Sequence, residues 1–366
     1  HPLIRDSRIE DALPSDKVGC IRNFNLQNGD NIREQLLGLS DYDMFCTYSI
    51  LESPMPLEDY IATLRLTPVT QGDRCFAEWS AEFSCDPRDE SDLVNGNEKD
   101  AAEEFAALAA DKKADADVQT DSLYRLVGIA AGNEDWKTVV ARAGELNQRF
   151  EKNRYRREML FQSGNAQLNL ALFTKAEATL KLVLAERQSP EAANSDWLPH
   201  AWVLLAESQV RQKSDPKKAT AALATAQDFR DQNPRSPLTY RIDEIAGRAY
   251  MRQAKFDDAR AAFKRTVDSK DGTRTQTAAK AQFMIGESYT TQKKYREARE
   301  AYSRVYLLYK HPEWREPARY QMGVCDQALG DKPQAIATFE KFLEEFPEST
   351  HEADVKKRLA TLKGTD

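Results

Sequence analysis

Through roughly the last two thirds of the chain, apolar positions recur every three to four residues; through the first quarter they alternate with polar ones. The helical period is clearest at Phe283-Met284-Ile285-Gly286-Glu287-Ser288-Tyr289, followed by Tyr295-Arg296-Glu297-Ala298, Tyr302 and Val305. A small residue stands where two helices must touch, and aromatics stand where space must be filled. The same pattern returns along the chain. Second helices are predicted to open at Trp136, Phe173, Pro216, Phe256, Tyr295 and Lys332, at spacings of 37, 43, 40, 39 and 37 residues. Three positions into each come Val139, Ala176, Ala219, Ala259, Ala298 and Ala335. A lone helix pair cannot bury so wide an apolar stripe, whereas stacked neighbours share one core, so the period predicts a solenoid of six helix pairs over 118–364. Ala353 to Leu362, bearing Lys356, Lys357 and Arg358, then reads as a polar capping helix.

The first quarter reads as strands. Val18 to Leu26 and Ile32 to Leu37 flank Asn28-Gly29, a hairpin signal. Met44 to Leu51, Asp59 to Leu66 and Arg74 to Phe83 follow, separated by Ser53-Pro54-Met55-Pro56 and Gln71-Gly72-Asp73, with a short leading strand at Ser7 to Glu10. The expected product is an antiparallel meander whose apolar face needs a cover. The fold class is therefore α+β, with a sheet over 1–96, a helix or linker over 97–117 and a helical solenoid over 118–364.

Charge sharpens this division. The net charge is −7 over 366 residues, and residues 1–96 hold 8 Lys/Arg against 18 Asp/Glu, which argues against nucleic acid as a partner. No apolar run approaches the ~18 residues of a membrane span. Cys20, Cys46, Cys75, Cys85 and Cys325 form no CxxC pair and are expected to be buried free thiols. His1, His200, His311 and His351 are scattered, so neither a metal nor any other cofactor is expected. No phosphate loop, nucleophile elbow or dinucleotide fingerprint is present, and catalysis is not the favoured reading. The chain opens at His1-Pro2 without a methionine, so the natural start is expected upstream, and the compartment stays open.

Two resemblances add to these readings. Gly19-Cys20-Ile21-Arg22-Asn23-Phe24, Arg33-Glu34-Gln35-Leu36-Leu37, Tyr48-Ser49-Ile50, Ser53-Pro54-Met55-Pro56, Tyr60-Ile61-Ala62-Thr63 and Glu78-Trp79 resemble the START-related polyketide cyclase/dehydrase family, SRPBCC. That resemblance implies a helix-grip fold, in which a curved sheet wraps a long helix around a cavity for an apolar or aromatic small molecule. The sequence departs from it at both ends. The family's first strand would precede His1, and after Gly96 the grip helix is replaced by an Ala/Glu-rich run with Phe105 and Leu108, which either supplies a substitute helix or marks a junction between two unrelated chains. The repeats, with Gly247, Gly286 and Gly323 on first helices and Phe263, Tyr302 and Phe339 at matching places on second helices, resemble the tetratricopeptide repeat (TPR), most closely in the last three units.

Two candidate sites follow. In the sheet, Arg22 shares a face with Cys20 and Phe24, and a three-residue turn at Asn28-Gly29-Asp30 brings Glu34 onto it; the pair either polarises a ligand or is structural. Tyr48 and Trp79, within the SRPBCC resemblance, complete the candidate ligand-binding set. In the repeats, TPR geometry directs Arg241, Glu244, Arg248, Met251, Lys280, Phe283, Glu287, Thr290, Tyr320, Val324 and Gln327 into one groove. There three cations are expected to attract an acidic or C-terminal peptide of a protein partner, with Phe283 as its apolar anchor. The favoured reading is a non-catalytic interaction scaffold; the alternative is a small-molecule binding or cyclase-like protein working through the sheet.

Overall fold

The alternating segment forms a six-stranded antiparallel meander in the computed structural model, which describes residues 4–68, 75–85, 99, 101–185, 187 and 195–364. Its strands lie side by side in chain order: β1 (Ile4–Ile9), β2 (Ile21–Leu26), β3 (Asn31–Ser40), β4 (Phe45–Glu52), β5 (Glu58–Pro68) and β6 (Cys75–Ser84). The sheet falls in the first of two compact units, His1–Glu103 and Glu104–Asp366. The turn at Gln71-Gly72-Asp73 and the junction near Gly96 lie outside the described residues.

The β2–β3 loop sets the register. It comprises Gln27, Asn28 and Gly29, one residue earlier than expected, because Leu26 N–H already donates to the Asp30 carbonyl at 2.8 Å. Gly29, at φ +96°, takes the left-handed position that a tight loop needs. This register sets Arg22 opposite Glu34 and Phe24 opposite Ile32. Across the remaining strands Leu36 faces Tyr48, Cys46 faces Leu64, and Leu64 faces Trp79, so these side chains share a face. The opposite face is polar: Thr47 and Thr63 bond each other at 2.9 Å, and Arg33 pairs with Glu10 at 2.8 Å and with Glu52. The apolar face is covered only in part, since Ala62 is buried while Trp79 is 60% exposed.

In the second unit the helical period becomes six helix pairs. After α1 (101–110) come α2 (Ala116–Gly132) with α3 (Trp136–Arg149), α4 (Arg156–Asn169) with α5 (Phe173–Ala185), and α6 (Leu198–Arg211) with α7 (Lys217–Gln232). They continue as α8 (Thr239–Arg252) with α9 (Phe256–Asp268), α10 (Gln276–Thr291) with α11 (Tyr295–Leu308), and α12 (Pro312–Ala328) with α13 (Lys332–Glu345), before the capping α14 (Glu352–Lys363). Five second helices open on the expected residue; α7 opens one later because Pro216 serves as its N-cap. The C-terminal end of α1 is tied into this stack: Arg149 Nη2 donates to the Ala109 carbonyl at 3.0 Å and to Gln119 Oε1 at 2.5 Å.

In four of the six pairs the close contact is a glycine against a ring or branched side chain. A Cβ on Gly286 would stand 2.5 Å from the Tyr302 ring, one on Gly323 2.5 Å from Phe339, and one on Gly164 2.8 Å from Leu180; Gly247 meets Phe263 in the same way. Val139, Ala176, Ala219, Ala259, Ala298 and Ala335 are all buried where the second helices enter the stack. In five of the six pairs the residue two before the second helix is left-handed: Glu134, Ala171, Ala254, Lys293 and Gly330. One turn geometry thus repeats through unrelated side chains.

Among the cysteines, Cys20 and Cys325 are buried and free as expected. Cys46 is free but only half-buried, because it lines the hollow on the partly covered face, and Cys85 is half-buried as well. The Cys75 side chain lies outside the described residues.

Candidate functional site

Two sites are built, one in each unit. On the stack, first helices α6, α8 and α10 contact one another in succession, so residues one repeat apart meet. Glu207 of α6 pairs with Arg248 of α8. Arg248 Nε also stands 2.8 Å from Glu244 Oε1, and Lys280 Nζ of α10 reaches that same oxygen at 3.0 Å. Burial works to raise the Glu207 carboxyl, yet the Arg248 guanidinium holds it below its ordinary range. Burial likewise opposes the Arg248 charge, and Glu244 and Glu207 overcome it, driving that guanidinium upward. Arg248 and Lys280 are therefore committed to carboxylates of the protein itself.

That changes the groove expected from sequence. Three cations, Arg241, Arg248 and Lys280, are present, but Glu207 and Glu244 balance two of them. Arg211, 3.9 Å from Glu207, is turned onto the Phe173 ring. Arg241 has no carboxylate within ion-pair reach among the described residues. It stands near His200, whose imidazole is lowered by burial and by the Arg241 charge. Beside Arg241 opens a hollow of about 200 Å³ lined on one side by Leu168, Val203, Leu204, Ile245 and Thr277 and on the other by the paired Glu207, Glu244 and Lys280.

The other expected groove residues are drawn into packing. Phe283, expected to be the peptide's apolar anchor, is half-buried and packs its ring 5.1 Å from Tyr302 and 5.5 Å from Trp314, in the seam between units. Glu287 accepts from the Tyr302 hydroxyl at 2.5 Å, and Thr290 bonds the same hydroxyl at 3.1 Å. Met251 packs against the Phe263 cluster. Tyr320 stacks on His351 at 4.2 Å and donates to Asp354 at 2.7 Å, Val324 joins the Phe339 cluster, and Gln327 accepts from Arg358 at 2.8 Å. The last three therefore anchor α13 and α14. Sequence reasoning missed Glu207, although Glu207 with Arg248 and Glu244 with Lys280 are opposite charges about one repeat apart.

In the sheet, Arg22, Glu34, Tyr48 and Trp79 line one hollow of about 400 Å³, together with Cys20, Leu36, Cys46 and Leu64. Arg22 Nη2 meets Glu34 Oε1 at 2.6 Å, and its guanidinium lies 4.9 Å over the Phe24 ring. Trp79 Nε1 donates to the Tyr48 hydroxyl at 3.1 Å. Burial raises the Glu34 carboxyl even against the Arg22 charge, and burial also raises the Tyr48 hydroxyl. Arg22 Nε is buried without an acceptor. One wall thus carries an ion pair and the other a tyrosine–tryptophan pair, an arrangement able to orient a polar group on an otherwise apolar molecule. Among the described residues no group of three or more His, Cys, Asp or Glu is arranged to hold a metal ion, and no helix is long and apolar enough to cross a membrane.

Both units match known families. Residues 1–116 match the family described as polyketide cyclase / dehydrase and lipid transport, a match that runs past Gly96, where the resemblance was expected to stop. Residues 246–312 and 317–349 match two tetratricopeptide repeat families. No curated protein matches the chain. Among solved structures, an uncharacterised protein of Bacillus thuringiensis is 26% identical, over 27% of this chain and 70% of its own, with a TM-score of 0.23. The protein XoxI of Bacillus cereus is 26% identical, over 26% of this chain and 65% of its own, at 0.22. The C-terminal part of a TPR repeat-containing protein from Cytophaga hutchinsonii is 14% identical, over 66% of this chain and 88% of its own, at 0.50. The helical unit thus has the TPR-type fold, and the sheet lies within the residues that match the polyketide cyclase / dehydrase model.

Proposed function

We propose that the protein is a non-catalytic interaction scaffold, and that a partner protein docks on the wall formed by first helices α6, α8 and α10. The observation that carries this reading is the hollow beside Arg241, where apolar side chains and an uncommitted guanidinium meet next to the paired Glu207, Glu244 and Lys280. Burying an apolar side chain supplies affinity and the charge supplies orientation. The test is a photo-crosslinking amino acid placed at Thr277 in the hollow or at Lys264 on an exposed second-helix face. Crosslinking of a discrete protein from Thr277 and not from Lys264 supports the reading; equal crosslinking from both positions counts against it.

A second reading rests on the sheet, where Arg22, Glu34, Tyr48 and Trp79 converge on a hollow of about 400 Å³, within the usual span for a small ligand. A thermal-shift screen of the whole chain with apolar aromatic compounds tests it. A stabiliser whose effect disappears in Trp79→Ala supports a ligand site there, and the absence of any stabiliser removes it.

A further inference from the structure

The charge balance along the first-helix wall restricts what the groove can hold. An acid-rich segment needs several free cations, but Arg248 is enclosed by Glu207 and Glu244, and Lys280 is held on Glu244 at 3.0 Å. A second carboxylate brought to this wall would meet Glu207 and Glu244 as like charges and would have to displace pairs that are largely buried. Arg241 alone keeps a free guanidinium at the mouth of the hollow. The hollow measures about 200 Å³, below the usual span for a drug-sized ligand, and so has room for a single large side chain. Leu168, Val203 and Ile245, all buried, form the apolar part of its floor, and the paired Glu207, Glu244 and Lys280 close its other side.

Resting on the scaffold reading above, we infer that the partner presents a peptide segment with one bulky apolar side chain beside a single carboxylate. The apolar side chain enters the hollow against Val203, Leu204 and Ile245, and the carboxylate pairs with Arg241. Lys280 and Arg248 take no direct part; their pairs keep a second acid out. The specificity is thus for one acidic group with an apolar neighbour, in place of a run of acids.

The test is selection of a phage-displayed random heptapeptide library on the whole chain, repeated with Arg241→Glu and with Thr277→Trp, which fills the hollow from its half-buried rim. Circular dichroism first establishes that both variants are folded. Wild type should enrich peptides with one Asp or Glu next to Leu, Met, Phe or Trp. Arg241→Glu should weaken such a peptide by roughly tenfold or more and select Lys or Arg in place of the acid. Thr277→Trp should lose the apolar preference. Acid-rich or basic peptides from wild type, or the same peptides from wild type and Arg241→Glu, would overturn the inference and leave the scaffold reading standing. No enrichment, or peptides held equally by Thr277→Trp, would count against both.

Discussion

Gly286 and Gly144 are both helical glycines, and they occupy their positions for opposite reasons. A Cβ at Gly286 would stand 2.5 Å from the Tyr302 ring, whereas one at Gly144 would meet nothing within 4 Å. Gly286→Ala should therefore cost about 1–3 kcal/mol through overpacking, and Gly144→Ala should gain about 0.5–1 kcal/mol through helix propensity. Urea midpoints of the two variants test this, and a shift of the same sign for both would show that the Gly286 contact is misplaced. Glu177 makes a separate prediction. Burial opposes its charge, but hydrogen bonds from Lys181, Lys218 and Gln212 bring the carboxyl from 4.5 down to about 2. A carboxyl lowered in the folded state stabilises the fold above pH 4.5 and loses that effect as pH falls toward 2. The stability gap between wild type and Glu177→Gln should thus be wide at neutral pH and narrow on acidification; a gap that stays constant would contradict the pairing. The glycine contacts were legible in the sequence because a fixed spacing repeats them. The Glu207 and Glu244 pairs were not, since a carboxylate's partner depends on which helix faces lie together.

Turns explain most of what the elements do. The left-handed residue that precedes five of the second helices is Gly330 in the last pair and Lys293 in the one before, at φ +79° and +59°. Gly330→Ala should cost about 1 kcal/mol, and Lys293→Gly should recover part of a similar strain. Thermal unfolding of the two variants tests this, and unchanged stability in both would mean that the turn relaxes freely. These turns fixed the openings of the second helices to the residue, except in the pair that lacks the left-handed residue, where Pro216 is the N-cap and the helix opens at Lys217. In the sheet, the Asn28-Gly29 signal located the hairpin but misplaced its loop by one residue. A closed pair between Leu26 and Asp30 decided the register, and that register brought Arg22 opposite Glu34. The face that Arg22 and Glu34 share was readable from alternation; the convergence of Tyr48 and Trp79 on it depended on two further strand registers.

At the scale of the molecule, the change from period-two to helical patterning near residue 90 was visible in the sequence, and we propose that the parts fold independently. The chain divides at Glu103, and α1 is tied by Arg149 into the helical unit. Limited proteolysis should therefore cut between about residue 86 and residue 104, leaving a resistant helical fragment. Uniform protection of that stretch, with a single unfolding transition, would contradict independence. The scaffold reading and the small-molecule reading place function in different units, so variants in each separate them. The most direct test is affinity capture from a cell lysate by the whole chain as wild type, Thr277→Trp and Trp79→Ala, each first shown to be folded. The scaffold account predicts a discrete protein partner that Trp79→Ala retains and Thr277→Trp loses; a partner retained by Thr277→Trp and lost by Trp79→Ala would contradict it.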